Sequence, residues 1–556
     1  MKVNRHFLAI IALSIITLSV RYIPLLLSPL TFNIDGFPIV TISEDIIEDG
    51  HWTQTYPKGT SIFTTYNTKM PILSMIISEF SLIFGWTPME TAQVIMPLIS
   101  FSAVIIVYII AFKITKNEIV SMFAGLALAL NGFFVYLGAA VMKETLGLPL
   151  LILTVYLYHG RADPKKRVLA ALLLLVLTLT HHLTVWIAFV MVSFLMITTS
   201  VLDMAQGTFK KKRFAQDFFL GPFMFVFTIA YYQLSELEFF TRVSNTNDVA
   251  IFASVFLVGA FFCVIFSLPK PRRKTRRVIL NKSLMVPAAG IALLVLNSYT
   301  IVFPGTIPTS KSMLLSLIPY LLLIGIGIIG LNLISLRRTE YKPFIAALLL
   351  GPLVVILFAL LKGFDAFTFI IVYRSYDYID FGLAICVGIG AGYLITTIVR
   401  SLKLKDNSKA MTGVKTSLAI IFLVICLATV PLAYQGQEFY GVQDATYESE
   451  FESMKWLSEH DENHHIETDE RLNDIMNPYF ELDTDKTLPW KLKYNRKVSS
   501  GTVLFMEDKW LTDGAQMSPM KPVVVKQETF DDTIGNNNLI YSGGPSGNHV
   551  FIVIVK

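Results

Sequence analysis

The sequence predicts an α-helical membrane domain with many spans, followed by a small α/β domain, and three features support this fold class. Hydrophobic residues make up 54% of the 556 residues and charged residues only 16%, whereas soluble domains average about 25% charged residues. Apolar runs long enough to span a membrane recur along residues 1–434. Residues 435–556 are polar and contain short strand-like runs. We therefore expect a membrane domain at 1–434, with a long first loop at 31–91, and a separate α/β domain at 435–556.

The apolar runs predict about 13 transmembrane helices in a hydrocarbon core about 30 Å thick. The first run follows Lys2 and Arg5, but it is too long for the core of a signal peptide and no small-residue cleavage site follows it. It is therefore expected to remain as a span. The predicted spans are 7–30, 92–112, 119–137, 145–159, 168–180, 183–202, 217–235, 249–268, 283–302, 313–335, 343–361, 378–399 and 416–434.

The positions of Lys and Arg predict the orientation of these spans. An N-terminus in the cytoplasm places the most basic loops, at 161–167, 210–213 and 269–277, on the inside. The same alternation requires two passes at 168–202, with a turn at 180–182 below the outer surface, and it places the C-terminal domain outside. The chain is thus predicted to be a multi-pass protein of the cell membrane, embedded in the lipid bilayer, with no nucleic-acid partner.

The C-terminal domain carries the signals of both helices and strands. Apolar residues at 451, 454 and 457 have helical spacing and predict a helix at 447–460. Strand-like runs occur at 502–505, 523–525 and 550–555. This mixture predicts a small α/β domain.

The first outside loop concentrates acidic residues directly after the first span. Its segment ISEDIIEDG predicts a short surface helix that ends at Gly50. The apolar stretch at 67–86 is short for a span and is expected to lie at, or dip into, the membrane interface. Most of the acids fit a solvated helix face. Asp35 differs, because an ionisable group at the end of a span usually has a partner or a task.

The second outside loop, GAAVMKETLG, contains Lys143 and Glu144 at the start of a predicted helix. An internal ion pair or a carboxylate favoured by the helix dipole explains them without function. Asp35 and Glu144, however, are predicted on the same side of the membrane. Together they could act as a base with a metal ligand, or as a base with an orienting group.

Two further places carry unusual polar groups. His181 and His182 are either structural residues or groups that hold a phosphate or a metal, although adjacent helical residues point about 100° apart and do not suit a zinc site. Arg374 lies at the outer end of the twelfth span, so its expected partner is Asp377, Asp380 or a ligand phosphate. The glycines that follow, at 382, 388, 390 and 392, are expected to allow close helix packing.

These features together resemble the GT-C superfamily of polyprenyl-phosphate-dependent glycosyltransferases. This group includes protein O-mannosyltransferases, lipid A aminoarabinose transferases and the catalytic subunit of oligosaccharyltransferase. The local matches are Asp35-Gly36 followed by EDIIEDG, the stretch NTKMPILSMIISEFSLIFGW, Glu144, and Arg374 followed by YDYIDFGLAICVGIGAG. The tail MKWLSEHDENHHIETDERLNDIM is also similar to the soluble domain of many archaeal members.

The resemblance implies that Asp35 is the catalytic carboxylate and that Glu144 occupies the position of a second acidic motif. It implies a polyprenyl- or dolichyl-phosphate-linked sugar as donor and a glycan or protein as acceptor. Lys69 and Arg374 match positions that bind the lipid phosphate. Lys143, His181 and His182 are further candidate phosphate ligands. A divalent cation such as Mg or Mn could be held by Asp35 and Glu144.

Two departures from the oligosaccharyltransferase pattern favour transfer of single sugars. The chain has no Trp-Trp-Asp tripeptide, and its second outside loop has Lys143-Glu144 in place of an Asp-x-Glu pair. The alternatives are transfer of a whole oligosaccharide, a membrane transporter without enzymatic activity, and a subunit of a glycan-assembly complex. A transporter would not explain the long acidic first loop or the soluble tail.

Overall fold

The structure is a computed structural model that describes most of the chain. The described residues are 5–53, 66–237, 246–269, 276–300, 309–336, 339–363, 366–402, 408–434, 445–460, 464–517 and 522–556. The chain divides into two compact units. The helical unit comprises residues 1–21, 97–138 and 144–434, and the mixed unit comprises residues 22–96, 139–143 and 435–556.

Helices dominate the described residues. In chain order they are α1 (Arg5–Arg21), α2 (Ile23–Leu27), α3 (Gly36–Asp49), α4 (Ile72–Phe84), α5 (Pro88–Thr115), α6 (Glu118–Ala129), α7 (Gly132–Ala139), α8 (Lys143–His159), α9 (Pro164–Thr178), α10 (His182–Ala205), α11 (Lys211–Phe219), α12 (Met224–Leu234), α13 (Thr246–Ser267), α14 (Arg276–Tyr299), α15 (Lys311–Leu336), α16 (Lys342–Lys362), α17 (Ala366–Tyr376), α18 (Asp380–Ser401), α19 (Ser408–Leu427), α20 (Glu448–His460), α21 (Glu470–Phe480), α22 (Leu488–Lys493) and α23 (Gln527–Asn536).

The chain is a multi-pass membrane protein. Among the described residues, eight helices are long and apolar enough to cross a membrane, or nine if the bent pair α6 and α7 forms one span. The eight are Pro88–Thr115, His182–Ala205, Lys211–Leu234, Thr246–Ser267, Lys311–Leu336, Lys342–Lys362, Thr368–Ser401 and Lys409–Tyr434. The count of thirteen spans and the orientation of the termini stay predictions.

The first predicted span is interrupted. Helix α1 ends at Arg21, and the short α2 begins at Ile23 with Pro24 in its first turn. Proline has no amide hydrogen and disfavours helical geometry in the residue before it, so a single helix over 7–30 does not form.

A buried arginine supports the bend between α6 and α7, which meet at 64°. The guanidinium of Arg21, only 1% exposed, donates to the carbonyl oxygen of Ala129 at 2.8 Å and to the hydroxyl of Ser100 at 2.9 Å. The hydroxyl of Thr429 donates to the carbonyl oxygen of Leu130 at 2.7 Å. Carbonyl groups at a helix end buried in an apolar unit need such partners, so these contacts stabilise the bend.

Glycines bring α15 and α18 into backbone contact. A Cβ atom added to Gly330 would lie 1.9 Å from the carbonyl oxygen of Cys386, and one added to Gly390 would lie 2.0 Å from that of Ile326. The predicted close packing of α18 is therefore confirmed, since a Cβ atom at each of its glycines 382, 388, 390 and 392 would meet a neighbour at 2.8 Å or less.

The mixed unit contains a five-stranded sheet. Its strands are β1 (Ile466–Glu467), β2 (Thr484–Asp485), β3 (Val503–Glu507), β4 (Asn538–Gly543) and β5 (Val550–Ile554), in the order β2-β1-β3-β5-β4. The pairs β2-β1 and β1-β3 are parallel, and the pairs β3-β5 and β5-β4 are antiparallel. The predicted helix at 447–460 and the strand-like runs at 502–505 and 550–555 coincide with α20, β3 and β5. The run at 523–525 forms only a single bridge, between Val523 and Ala515.

A closed cluster of five charged side chains lies in this sheet region. Arg471 donates to Glu450 at 2.7 Å and to Glu507 at 3.0 Å. Lys509 contacts Glu507 at 3.0 Å and also pairs with Glu450. Asp469 caps α21 by accepting from the amide of Leu472. All five are at most 4% exposed, and we call them the closed cluster: Glu450, Asp469, Arg471, Glu507 and Lys509.

Candidate active site

A tight turn in the mixed unit positions Asp35 at the start of α3. The carbonyl oxygen of Asn33 accepts hydrogen bonds from the amide of Gly36 at 3.1 Å and from the hydroxyl of Thr31. The side-chain oxygen of Asn33 accepts from the amide of Val141 at 2.8 Å. Asn33 is fully buried, so it ties the Asp35 turn to the segment 139–143, which ends in Lys143.

Gly36 makes this turn possible. A Cβ atom at Gly36 would lie 2.8 Å from the Cβ atom of Thr31. Asp35 is half-buried and makes no side-chain cap to α3. The local backbone, rather than a capping contact to α3, therefore determines where this carboxylate lies.

The two predicted lysines of the mixed unit are related through residues 66–69. The ammonium of Lys143 donates to the carbonyl oxygen of Asn67 at 3.3 Å and lies 4.5 Å from the ring centre of Tyr66. Lys143 is 3% exposed, whereas Lys69, two residues after Asn67, is half-buried. The segment 66–69 thus holds the side chain of Lys143 and contains Lys69, and both lysines are candidate phosphate ligands.

A second carboxylate of the mixed unit interacts with Asp35. Asp474 on α21 accepts a hydrogen bond from the side chain of Asn473 at 3.0 Å. Burial, then the neighbouring Glu470 and to a smaller extent Asp35, raise the pKa of Asp474 to about 7. Asp474 was not among the predicted site residues, because nothing in the sequence relates α21 to the start of α3.

The acids of α3 divide into two groups. Glu48 and Asp49 are exposed, as predicted for a solvated face. Glu44 is half-buried, and burial together with Asp45 and Glu48 raises its pKa to about 7. The prediction of a fully solvated face is therefore wrong for Glu44, because this side of α3 packs against α21 in the mixed unit.

The helical unit brings three predicted residues into one ion cluster. Glu144 begins the first turn of α8, and its Oε1 atom accepts from Nη1 of Arg374 and lies 3.2 Å from Nε2 of His181. The side chains of Glu144 and His181 are 4% and 2% exposed, whereas that of Arg374 is 21% exposed. We call these three side chains the open cluster, since its cation alone retains substantial exposure.

The hydrogen bonds around His181 select its tautomer. His181 caps α10, and its Nδ1 atom accepts from the amide of Thr184 at 3.4 Å. The hydroxyl of Thr184 lies 2.9 Å from the same nitrogen and 2.6 Å from the hydroxyl of Tyr378. An accepting Nδ1 leaves the hydrogen on Nε2, which then donates to Glu144.

A glycine leaves room for this contact. A Cβ atom at Gly147 on α8 would lie 2.7 Å from the hydroxyl of Thr184 on α10. Thr184 and Gly147 were not among the predicted site residues, because no local pattern in the sequence relates a threonine on α10 to a glycine on α8.

Arg374 interacts with at least two carboxylates. Its guanidinium pairs with Glu144, which lies 230 positions away in the sequence. Asp377 interacts with Arg374 electrostatically. Asp380 accepts from the hydroxyl of Tyr320 at 3.3 Å, inside the bundle. The anionic partner expected for Arg374 thus exists, but the carboxylate came from a loop that only the tertiary structure brings near.

His182 does not form a metal pair with its neighbour. The rings of His181 and His182 are 4.7 Å apart at an angle of 56°. Among the described residues, no group of three or more His, Cys, Asp or Glu side chains could hold a metal ion. Glu144, the acid predicted as a metal ligand, pairs instead with a guanidinium and an imidazole. The divalent cation predicted at Asp35 and Glu144 stays a prediction, and we assign no step to it.

The site residues predicted from the sequence thus fall into two groups. Glu144, His181 and Arg374 come together in the helical unit. Asp35, Lys69 and Lys143 belong to the mixed unit. The predicted pairing of Asp35 with Glu144 stays a prediction.

No family model and no curated protein matches the sequence, whereas the structure resembles several solved membrane proteins. The apo oligosaccharyltransferase of Archaeoglobus fulgidus aligns over 92% of this chain and 70% of its own, with 12% identity and a TM-score of 0.56. The oligosaccharyltransferase AglB of the same organism, solved with an inhibitory peptide and a dolichol-phosphate, aligns over 99% and 74%, with 12% identity and a TM-score of 0.54. ArnT of Cupriavidus metallidurans, bound to undecaprenyl phosphate, aligns over 98% and 97%, with 14% identity but a TM-score of only 0.43.

The chain therefore has the GT-C fold of membrane glycosyltransferases. At this identity the likeness shows the fold alone. What the chain does must be argued from its own residues.

Proposed function

We propose that this protein is a membrane glycosyltransferase that moves a sugar from a polyprenyl-phosphate donor to an acceptor on the extracytoplasmic face. The observation that carries the proposal is the open cluster, found in a chain with the GT-C fold. A buried carboxylate holds a partly exposed guanidinium in place, and planar guanidinium groups bind phosphate through paired hydrogen bonds. Such a group suits a lipid phosphate that gains charge as the sugar departs.

Each residue has a distinct part in the proposed reaction. The bond between the anomeric carbon and the phosphate oxygen breaks, and its electron pair stays on the lipid phosphate. Arg374 stabilises that charge, and Glu144 and His181 keep Arg374 oriented without the need to reorganise during the reaction. The acceptor forms the new bond to the anomeric carbon and releases its proton to Asp35. Asp35 also stabilises an oxocarbenium-like transition state, as carboxylates do in glycoside chemistry.

Lys143 and Lys69 supply the remaining positive charge in this proposal. Lys143 is held by Asn67 and Tyr66, so its buried ammonium supplies positive charge at a fixed place. Lys69 is more exposed and is the better candidate for direct contact with the donor.

A second candidate is the transfer of a whole oligosaccharide, as in oligosaccharyltransferases. The likeness to the archaeal oligosaccharyltransferase over 92% of the chain favours it. The missing Trp-Trp-Asp tripeptide and the Lys143-Glu144 loop favour single sugars.

The test replaces Asp35 and compares the glycans that the cell makes. Asp35→Asn should abolish the transfer of one sugar, or of one oligosaccharide, seen by mass spectrometry of surface glycoproteins and lipid-linked glycans. Glu48→Gln is the matched control, because Glu48 is an exposed carboxylate on the same helix, and it should leave the glycans unchanged. Hydrogen exchange in the purified variants checks that both proteins are folded. Unchanged glycans in a folded Asp35→Asn variant would contradict the proposal.

The mass of the missing group distinguishes the two candidates. Loss of a single sugar supports the first, and loss of a complete oligosaccharide supports the second. Solute flux through proteoliposomes in the absence of any glycan change would instead favour a transporter.

A further inference from the structure

Basic side chains gather around α11 in the helical unit. Residues 161–167 and 210–217 together carry eight Lys or Arg against two Asp. The structure joins these two segments, because Asp217 on α11 pairs with Arg161 at 2.9 Å and with Arg167 at 3.2 Å. Arg167 also donates to the side chain of Gln216 at 2.8 Å.

The ion pairs of Asp217 with Arg161 and Arg167 hold α11 in place. They leave most of the positive charge of the eight basic residues unbalanced. Asp217, Arg161 and Arg167 are 6%, 3% and 9% exposed, so a single carboxylate serves two buried guanidinium groups. The remaining cations lie at the surface; they are Lys165, Lys166, Lys210, Lys211, Lys212 and Arg213. The result is a rigid helix that presents positive charge outward.

Phenylalanine rings accompany these cations. Phe218 and Phe219 are 43% and 53% exposed in the protein, although they are apolar. The ring of Phe214 stacks on that of Phe218 with centres 6.5 Å apart, and the ring of Phe219 stacks on that of Phe223 at 5.0 Å. Phe223 in turn contacts Phe227, which is 52% exposed, at 6.1 Å. The rings of Phe218 and Phe223 are also 6.3 Å apart, so a ladder of partly exposed rings begins on α11 and continues into α12.

The position of α11 relates this ladder to the membrane. Helices α11 and α12 together form the apolar stretch Lys211–Leu234, which is long enough to span a bilayer. At 100° per residue, Phe214, Phe218 and Phe219 spread over about 140° of α11, Lys211 lies among them, and Arg213 lies on the opposite side. Helices that combine basic and aromatic residues in this way lie at the level of the lipid headgroups.

We propose that α11, with its exposed cations and its Phe ladder, is a binding surface for anionic phospholipid headgroups. The phenylalanines insert among the upper acyl carbons, and Lys210, Lys211 and Lys212 contact the phosphates above them. The buried Arg161–Asp217–Arg167 group keeps the helix in place. Charge complementarity favours anionic over zwitterionic lipids, and each basic group near such a surface strengthens the binding. This inference is independent of the proposed transfer reaction.

The experiment measures the lipids that the purified full-length protein retains. Protein in detergent is titrated with phosphatidylglycerol or phosphatidylcholine, and the bound lipids are counted by native mass spectrometry. Lys211→Gln/Lys212→Gln should weaken the binding of phosphatidylglycerol about ten-fold, and the charge-preserving Lys211→Arg/Lys212→Arg should not. The matched control is Lys113→Gln/Arg400→Gln, which removes two exposed cations that lie at other helix ends.

Three outcomes would overturn the proposal. The first is an equal affinity of the protein for the two lipids. The second is an equal loss in the control variant. The third is displacement of phosphatidylglycerol by an equal concentration of inorganic phosphate, which would mean that the aromatic ladder contributes nothing and the surface binds a free anion. The proposal is supported if the control and the Lys211→Arg/Lys212→Arg variant retain phosphatidylglycerol and the Lys211→Gln/Lys212→Gln variant does not.

Discussion

The open cluster of the helical unit and the closed cluster of the mixed unit both bury charge, but they are built differently. In the closed cluster every charged side chain is at most 4% exposed, and Arg471 and Lys509 each contact both Glu450 and Glu507. In the open cluster one carboxylate serves a guanidinium and an imidazole, and Arg374 stays 21% exposed. In the first cluster both cations are engaged by carboxyl groups inside the protein, whereas the second presents a cation to the surroundings.

This difference in exposure predicts that the closed cluster matters for stability and the open cluster for function. A buried and fully paired network leaves nothing for a ligand, and removal of one member leaves the others uncompensated, so it is expected to matter for folding. A held but accessible guanidinium is arranged for an anion that comes and goes. The two clusters therefore predict opposite effects of similar substitutions.

The largest effect is expected from Arg471→Met, which removes the central cation of the closed cluster. Glu450 and Glu507 would then share Lys509 alone, and the free energy of unfolding should fall by about 3–5 kcal/mol. Hydrogen exchange of the β3 amides in the full-length protein measures this loss. Lys486→Met is the control, because the pair Lys486–Glu470 is at the surface with the lysine 48% exposed, and it should cost less than about 1 kcal/mol. Similar losses of unfolding free energy in Arg471→Met and Lys486→Met would contradict the stabilising role of the closed cluster.

The next effect is expected from Arg374→Gln, which should act on transfer and not on folding. If the guanidinium stabilises the departing phosphate, transfer should fall about 100- to 1000-fold. Protection of the β3 amides should not change. Arg400→Gln, an exposed arginine in the last turn of α18, serves as the control for charge alone. Full transfer activity in the Arg374→Gln variant would show that the open cluster has no part in the reaction.

The closed cluster should also make stability depend on pH. Burial, with Glu450 nearby, raises the pKa of Glu507 to about 8. Burial alone would raise the pKa of Glu450 too, but Arg471 and Lys509 lower it to about 2. The proton on Glu507 favours the folded form, so stability should decrease by up to about 1 kcal/mol per pH unit as the pH rises from 5 to 8. Below pH 4.5 the loss of the Glu450 charge should decrease it as well.

Denaturation of the full-length protein between pH 3 and 8 checks this profile. Glu507→Gln should reduce the decrease in stability between pH 5 and 8. The raised pKa of Asp474 accounts for the decrease that remains. A stability that increases from pH 5 to 8 would show that Glu507 ionises readily in the folded protein.

The smallest effect is expected from Thr184→Val, which keeps the shape of the side chain but removes its hydroxyl. The contacts to His181 and Tyr378 would be lost, and one hydrogen bond contributes about 1 kcal/mol, so transfer should fall roughly five-fold. Thr184→Ser keeps the hydroxyl and should retain activity. A loss of the same size in the serine variant would point to packing against Gly147 rather than to the orientation of His181.

Much of the fold could be predicted because its signals are local. The helix expected at 447–460 is α20 at Glu448–His460, and the helix expected to end at Gly50 does so with the glycine in the left-handed conformation, at φ 70°. The short apolar stretch at 67–86 contains the 13-residue α4. Hydrophobic spacing and capping act within a few residues, so the sequence displays them directly.

The site was predictable only in part, because its contacts join distant positions. Glu144 and Arg374 were each identified, but as separate candidates, since nothing local relates a loop to a helix end 230 residues later. Arg21 lies inside an apolar run and was not among the predicted site residues. Only the bend at Ala129 and Leu130 explains how it can be buried. Asn33 carries no charge that would distinguish it in the acidic loop, although it is the residue that ties this loop to Val141.

By itself the sequence determined that this is a membrane protein, where many of its apolar helices lie, and which few ionisable groups are out of place in an apolar chain. These properties follow from composition and from spacing along the chain, because the hydrophobic effect and helix geometry act on neighbouring residues. Only the tertiary structure decided which cation meets which carboxylate, and whether the resulting cluster is closed or open. The strength of a buried charge pair depends on distance and on exclusion of water, and both are set by how remote segments pack.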